Sequence, residues 1–162
     1  MTDRTRTYTW EDPFALSDAM AERSGLELMQ AMARGETPPP PIANTLGYRL
    51  VEAEPGHAVF ECEPAEYHYN PIGTVHAGLA MTLLDSAMGL AYVTTLDMPT
   101  PWTTLELKCN FTRAMTIETG TVRCIGSVIH PGRRVVTTEA RIIDADHRLL
   151  AHATSTILVL GG

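Results

Sequence analysis

The sequence contains few charged residues. Asp, Glu, Lys and Arg make up only 19% of its 162 residues, below the usual quarter of a globular protein. Hydrophobic residues make up 44%, which is enough for a core and excludes a disordered chain. The length suits one compact domain. A small domain with so few charges is expected to bury part of its surface against a partner.

An excess of positive charge is also missing. The formal net charge is −7, which excludes general nucleic-acid binding, because that function depends on a basic surface. Residues 1–97 carry a net charge of −9 and residues 98–162 a net charge of +2, so the second part is better suited to a small anionic ligand. Lysine is nearly absent, since eleven of the 12 basic residues are Arg. Arg suits phosphate groups, and an ordinary solvated Arg is the alternative at each position.

Cysteine is scarce and scattered. The three cysteines are Cys62, Cys109 and Cys124, and none has the spacing of a metal knuckle or a CxxC redox pair. An odd, scattered set is typical of a reducing compartment. Residues 1–10 are polar and contain no apolar core of a secretory signal. We therefore expect a cytoplasmic protein without a metal site.

The N-terminal quarter is predicted to be an extension of the main domain. A helix is predicted over residues 13–34, with a break at Ser24-Gly25, where Ser24 and Glu27 form a capping-box pattern. Pro38 to Pro41 predict an extended linker that is neither helix nor central strand. Residues 1–41 are therefore assigned to an N-terminal helical extension with a Pro-rich linker, and residues 42–162 to the main domain.

The pattern of the main domain predicts an α+β fold. A helix is predicted over residues 75–94, and strands over residues 47–53, 57–63, 102–113, 120–130, 134–143 and 149–160. In strand 102–113, Leu105 and Leu107 share one face, and Thr104 and Glu106 share the other. Short connections among the last four strands predict antiparallel pairing between successive strands. The one long helix then packs against a whole sheet.

The run from residue 67 to residue 96 contains one charged residue, Asp85. A membrane span is excluded because a charge near its middle costs about 3 kcal/mol. A helix that is apolar nearly all round is instead expected to be buried between a sheet and another helix. Asp85 has no basic residue three or four positions away, and a buried carboxylate without a partner indicates a functional group. The alternative is an Asp that bonds a Thr hydroxyl or the backbone, or reaches solvent at a groove.

The predicted start of helix 75–94 has the features of a carbonyl-binding site. Gly73 and Gly78 permit tight backbone turns. The first N–H groups of a helix have no internal acceptor and lie at its positive end, so they can stabilise charge that develops on a carbonyl oxygen. Asn70 and His76 flank this point as side-chain donors. For His76, the alternative is a histidine that braces the loop by hydrogen bonds.

The spacing of these features predicts a dimer. Residue 77 and Asp85 lie about 12 Å apart along a helix axis, which is too far for both to contact one reacting carbon. If both act, they belong to different copies of the helix. Two such helices packed antiparallel about a two-fold axis would give a homodimer with two shared sites.

The segment from Asn70 to Asp85, NPIGTVHAGLAMTLLD, resembles the signature of hotdog-fold acyl-CoA thioesterases of the phenylacetate-degradation (PaaI-like) family. The resemblance covers roughly residues 45–160. It implies a hotdog fold, in which an antiparallel sheet wraps a long central helix, and a dimer that often assembles into a tetramer. It also implies hydrolysis of an aromatic or medium-chain acyl-CoA without metal, and with no cofactor other than the CoA of the substrate.

The resemblance also implies roles for single residues. Asp85 corresponds to the catalytic carboxylate, acting as general base or as nucleophile, and the N–H of Ala77 to the group that polarises the thioester carbonyl. Asn70 corresponds to the residue that places the carbonyl or the attacking water. Thr104 corresponds to a hydroxyl residue near the site, with a plain strand threonine as the alternative. The other residues assigned to the site are His76 and Gly78 in the catalytic signature, and Gly73, Arg113, Arg133 and Arg134 in substrate binding, the last three toward the CoA phosphates.

The sequence departs from the family pattern in two places. The family usually has His-Gly-Gly where this chain has His76-Ala77-Gly78, and Arg113 is followed by Ala114-Met115 where the family often has proline. Two other functions stay open. One is a non-catalytic acyl-CoA binding protein, an alternative that Ala77 keeps open. The other is a hotdog hydratase or dehydratase, although the His and Asp/Glu patterns typical of those enzymes are absent.

Overall fold

A computed structural model describes residues 3–14 and 23–160. Its longest helix is α3, Ala77–Val93, preceded by α1, Gly25–Ala33, and α2, Pro41–Leu46. Two short 3-10 helices cover Glu66–His68 and Ile117–Thr119. The six strands are β1 Tyr48–Glu54, β2 His57–Cys62, β3 Trp102–Phe111, β4 Val122–His130, β5 Val135–Ile143 and β6 Leu149–Val159. The predicted α+β class is confirmed, and the bounds of the predicted strands and of helix 75–94 are close to those observed.

The six strands form one sheet in the order β1-β2-β4-β5-β6-β3. Every neighbouring pair is antiparallel, as predicted. The predicted pairing of β3 with the next strand is wrong, because β3 pairs with β6, with Thr104 opposite Ile157. Both sides of β4 are occupied by β2 and β5. The short connection between β3 and β4 therefore crosses the end of the sheet instead of forming a hairpin.

Helix α3 packs closely on the inner face of the sheet. The residues beneath it are small and lie opposite one another across four strands, namely Ala58, Gly126, Ala140 and Ala153. A Cβ atom on Gly126 would lie 2.2 Å from the carbonyl oxygen of Ala87, so the strand and helix backbones are almost in contact. Leu83 and Leu84 are completely buried. None of the helices in the described ranges is both long enough and apolar enough to span a membrane.

Helix α1 is part of the same core. The predicted capping box is present, since the Glu27 N–H donates to Ser24 Oγ at 3.3 Å and the Ser24 N–H donates to Glu27 Oε2 at 3.0 Å. Leu28 and Met29 are 0% and 1% exposed and pack with residues of the sheet and α3. Of the predicted helix 13–34, residues 15–22 lie outside the described ranges. The division between residues 41 and 42 stays a prediction.

The Pro-rich segment differs from its prediction at its last residue. Pro41 begins helix α2 instead of ending an extended linker. A proline is well suited to the first position of a helix, because its missing N–H would have no acceptor there and its φ is already helical. Helix α2 ends at Gly47, whose φ of 71° allows the chain to turn into β1.

The N-terminal segment lies against the end of α2 and the 3-10 helix Glu66–His68. The Arg6 guanidinium donates to the carbonyl oxygens of Thr45 and Asn44, the latter at 2.9 Å. The same group lies 4.1 Å from the centre of the Tyr67 ring. Arg4 forms an ion pair with Glu66 at 2.8 Å. These contacts place the N-terminal segment beside the loop that leads into α3.

Candidate active site

Asp85 and Thr104 lie together on the side of α3 next to β3. The Thr104 hydroxyl donates a hydrogen bond to Asp85 Oδ1 at 3.0 Å. Asp85 is exposed in the single chain, so the prediction of a buried carboxylate without a partner is wrong and the alternative, a bond to a Thr hydroxyl, is observed. The physical reason is that one stripe of α3 is left uncovered by the sheet. Ala77 and Met81 lie on the same exposed stripe, at spacings of about one helical turn.

A β-bulge in β3 brings Thr104 to the helix. The register with β6 shifts between Thr104 and Glu106, which leaves Leu105 outside the ladder and 56% exposed. Thr104 lies opposite the buried Ile157, and Leu107 lies opposite the buried Ser155. Thr104 and Leu107 therefore both face inward, although strict alternation puts them on opposite faces. The predicted grouping of Leu105 with Leu107 is wrong for this reason.

Asn70 shapes the loop before α3. Its Oδ1 accepts hydrogen bonds from the N–H groups of Ile72 at 3.0 Å and Thr74 at 3.3 Å. Its Nδ2 donates to the Thr74 hydroxyl at 3.0 Å. Gly73 has a φ of 84°, a conformation that favours glycine. The structure thus places Asn70 and Gly73 in one tight loop, with the Asn70 amide engaged within that loop.

The start of α3 combines a side-chain cap with a free backbone donor at Ala77. His76 is the N-cap residue, and its Nδ1 accepts a hydrogen bond from the Gly78 N–H at 2.8 Å. This bond matches the bracing alternative for His76 and occupies the Gly78 donor. The N–H of Ala77 has no acceptor in the described part of the chain, and Ala77 is exposed. Because Ala77 has an ordinary negative φ, alanine fits this position without backbone strain.

The three arginines assigned to CoA phosphates lie at opposite ends of the molecule. Arg113 follows β3, near the loop before α3, where the Val75 N–H donates to Met115 O at 2.9 Å. Along β3, the end at Phe111 lies about 23 Å from Thr104. Arg133 and Arg134 lie in the turn between β4 and β5, at the sheet end that Thr104 approaches. A single chain therefore does not bring Arg113 together with Arg133 and Arg134.

Two further polar residues near the site had no role in the sequence analysis. The Tyr48 hydroxyl lies 3.0 Å from Ser86 Oγ, on the residue next to Asp85. Burial raises the pKa of Tyr48, the hydrogen bond to Ser86 opposes this shift, and the Asp85 charge adds to it. His68 is buried behind the loop that precedes α3. Its only sequence signal is its place two residues before Asn70, in the run from residue 67 to residue 96 that contains one charged residue.

The described residues contain no group of three or more His, Cys, Asp or Glu side chains that could hold a metal ion. Two of the three cysteines lie in the core. Cys62 and Cys124 are 2% and 0% exposed. Burial raises the pKa of Cys62 to about 11 and raises the pKa of Cys124 further. Neither thiol is therefore a ready nucleophile.

The sheet and the long helix identify the structural class of the protein. An antiparallel sheet that wraps one long helix is the hotdog fold, and the fold that the resemblance implied is confirmed.

Comparison with known proteins places the chain in a family. Residues 72–151 match the model of the thioesterase superfamily. A protein from Saccharolobus solfataricus, provisionally named an esterase, is 32% identical over 119 residues, which are 74% of this chain and 83% of that protein. The chain therefore belongs to the thioesterase superfamily.

Two other similar proteins carry more specific names. The 1,4-dihydroxy-2-naphthoyl-CoA hydrolase of Listeria monocytogenes is 26% identical over 118 residues, which are 73% of this chain and 94% of that protein. The solved structure of the phenylacetic acid degradation protein PaaI from Thermus thermophilus, a mutant form, is 27% identical. It superposes with a TM-score of 0.67 over 74% of this chain and 99% of that one. The predicted family resemblance is confirmed, and so is the prediction that the protein is a thioester hydrolase.

Proposed function

We propose that the protein hydrolyses an acyl-CoA with an aromatic or medium-chain acyl group to the free acid and CoA. The observation that carries this proposal is the arrangement on one exposed stripe of α3. The Asp85 carboxylate, oriented by Thr104, lies at one point of the stripe, and the free Ala77 N–H lies at its start. The name of the Listeria protein, a hydrolase of an aromatic acyl-CoA, supports an aromatic substrate.

The site is completed by a second copy of the chain. Asp85 and Ala77 of one helix are about 12 Å apart along its axis, so they serve different substrates. In an antiparallel pair of α3 helices, Asp85 of one protomer meets the helix start of its partner. The exposed stripe of Ala77, Met81 and Asp85 is the surface that such a pair would cover. We propose a homodimer with two shared sites, from which a tetramer can assemble.

In the proposed reaction, the Ala77 N–H, the Asp85 carboxylate and the Thr104 hydroxyl each have a defined role. The thioester carbonyl accepts a hydrogen bond from the partner's Ala77, which stabilises the negative charge that develops on the oxygen. Asp85 takes a proton from water as the water oxygen bonds to the carbonyl carbon. The tetrahedral intermediate then breaks its carbon–sulfur bond, and the CoA thiolate leaves and takes the proton that Asp85 removed from water. Thr104 holds Asp85 in position by its 3.0 Å hydrogen bond.

The other assigned residues support substrate binding. Asn70 and Gly73 keep the loop before α3 in shape, and His76 caps the helix. We propose that Arg133 and Arg134, with Arg113 of the neighbouring protomer as the third contributor, meet the phosphates of CoA. Substituting Arg133 and Arg134 should then raise KM for acyl-CoA more than KM for a short pantetheine thioester.

A complementation experiment tests the proposed site. Asp85→Asn removes the base, and we expect a loss of about 10²–10⁴-fold in kcat. Ala77→Pro removes the free N–H and keeps the helix, because proline is tolerated at the first helical position and His76 already has an extended conformation. Each variant alone should release little CoA. The matched control is Asp97→Asn, an exposed Asp after the end of α3, which should keep wild-type activity.

Mixing the two variants decides whether the sites are shared. After subunit exchange in equal amounts, half of the dimers pair one chain of each kind, and each of these has one intact site, so about a quarter of wild-type activity should return. No recovery in exchanged dimers would contradict the shared site. A wild-type protein that binds acyl-CoA and releases no thiol would contradict hydrolysis. Single turnover in ¹⁸O-water separates the two roles of Asp85, since only a nucleophilic Asp85 acquires the label.

A further inference from the structure

His68 is buried beside the loop that leads into α3. His68 is the last residue of the 3-10 helix Glu66–His68 and is 6% exposed. Both ring nitrogens have backbone partners. Nδ1 accepts a hydrogen bond from the Ala65 N–H at 3.0 Å, and Nε2 lies 2.8 Å from the carbonyl oxygen of Leu46 at the end of α2.

These partners fix the protonation state of the ring. Because the Ala65 N–H points at Nδ1, this nitrogen carries no proton. Because a carbonyl oxygen only accepts, Nε2 carries the proton and donates it to Leu46. His68 is therefore a neutral imidazole. Burial lowers its pKa, the bond to Leu46 opposes this shift, and the nearby charge of Arg6 lowers the pKa further.

The backbone of His68 is hydrogen-bonded to His76, the N-cap residue of α3. The carbonyl oxygen of His68 accepts a hydrogen bond from the His76 N–H at 2.8 Å. The His76 side chain in turn accepts the Gly78 N–H at 2.8 Å. A continuous set of bonds thus runs from Leu46 through His68 to the cap of α3, and the free N–H of Ala77 lies directly after this cap.

We infer that His68 is a positioning residue for the thioester reaction. Its ring anchors the cap of α3 to the end of α2, and this anchor sets the direction of the Ala77 N–H. The inference rests on the function proposed above. Charge on the thioester oxygen develops mainly in the transition state, so a misdirected donor lowers kcat more than it weakens substrate binding.

Three substitutions separate the two bonds of the ring. In His68→Gln the amide nitrogen lies near the place of Nε2 and can donate to Leu46. In His68→Asn the side chain can accept from Ala65 and is too short to reach Leu46. His68→Leu keeps the bulk and makes neither bond. The bond to Leu46 joins segments 22 residues apart, whereas the bond to Ala65 is local, so the bond to Leu46 is the anchor.

The expected result is a split between the variants. We expect His68→Asn and His68→Leu to lower kcat roughly 10–100-fold, the loss caused by a misplaced catalytic group, with little change in KM. His68→Gln should keep kcat close to that of the wild type. The control is His152→Leu, an exposed histidine on β6, which should change neither constant. Circular dichroism at the assay temperature gives the folded fraction, and kcat is expressed per folded molecule.

The inference is overturned if His68→Asn and His68→Leu keep wild-type kcat per folded molecule, or if KM rises as much as kcat falls. A second measurement does not depend on activity. Amide hydrogen exchange at Gly78 should be faster in the Asn and Leu variants and unchanged in the Gln variant. Equal exchange in all three would also overturn the anchor. If the wild type hydrolyses no acyl-CoA, the proposed function fails, while exchange at Gly78 still shows whether His68 holds the helix start.

Discussion

Gly126 sets the distance between the sheet and α3, and its substitution tests how closely function depends on that distance. In Gly126→Ala the new Cβ would lie 2.2 Å from Ala87 O and 2.9 Å from Met88 N. Both are backbone atoms of the helix, so no side chain can rotate away. An ordinary contact would require the helix and strand to separate by about 1 Å. Asp85 lies two residues from Ala87 on the same helix.

The magnitude follows from this overlap. Overpacking a core costs about 1–3 kcal/mol, and a contact between two backbones belongs at the upper end of that range. For a protein of this size, 1 kcal/mol corresponds to about 2–4 °C in melting temperature, so we expect a fall of about 6–12 °C. A displacement of about 1 Å at a catalytic group costs about 10²-fold in rate. Thiol release from acyl-CoA should therefore fall together with the melting temperature.

Gly89→Ala is the matched control on the same helix. There the nearest atom to the new Cβ is Cη2 of the Trp102 ring at 2.6 Å, the far end of a side chain that can shift. Alanine also favours the helix over glycine by about 1 kcal/mol, which offsets the cost of that shift. We expect a melting temperature close to that of the wild type. If Gly126→Ala has the melting temperature and the rate of thiol release of the wild type, the close contact between α3 and β4 is wrong.

Two other predictions concern titration and thiol chemistry. Because His68 is buried in its neutral form with a lowered pKa, the unfolded chain binds more protons near pH 6, so the free energy of unfolding should fall as pH drops from 7.5 to 5.5. Urea unfolding at several pH values should show a smaller fall of the free energy of unfolding with pH in His68→Gln than in the wild type. Equal pH dependence in the two proteins would contradict the neutral state of His68. Cys62, with a pKa of about 11, should have about one thiolate in a thousand at pH 8. Ellman's reagent should therefore label the folded protein slowly at Cys62 and Cys124 and rapidly only after unfolding.

The sequence was sufficient to predict features that depend on local pattern. The period of apolar residues predicted the strands and α3, and the Ser24 and Glu27 pair predicted the start of α1. The signature segment from Asn70 to Asp85 predicted the family. Thr104, which the resemblance placed near the site, contacts Asp85. Each of these features is encoded within a short stretch of chain, where spacing alone limits the structure.

Features that depend on distant parts of the chain were not predictable in this way. Alternation indicates which face a strand buries, but it does not identify the neighbouring strand, so the pairing of β3 with β6 was missed. The bulge at Leu105 interrupts the alternation of β3, and no local sequence pattern in β3 indicates it. The exposure of Asp85 was missed because an apolar helix predicts burial without identifying what covers each stripe. His68 acts through Leu46, and that contact exists only after folding.

The position of β3 at the far edge of the sheet has a consequence for the order of folding. Thr104 is held in the sheet by β6, the last of the six described strands. During synthesis, β3 leaves the ribosome long before its partner and stays unpaired until nearly the whole domain has emerged, while β1, β2 and α3 can already associate. Closing this long-range pair is a slow event compared with hairpin formation. The Thr104–Asp85 contact should therefore be among the last to form, and a chain truncated before β6 should expose an unpaired β3 edge that is prone to aggregation.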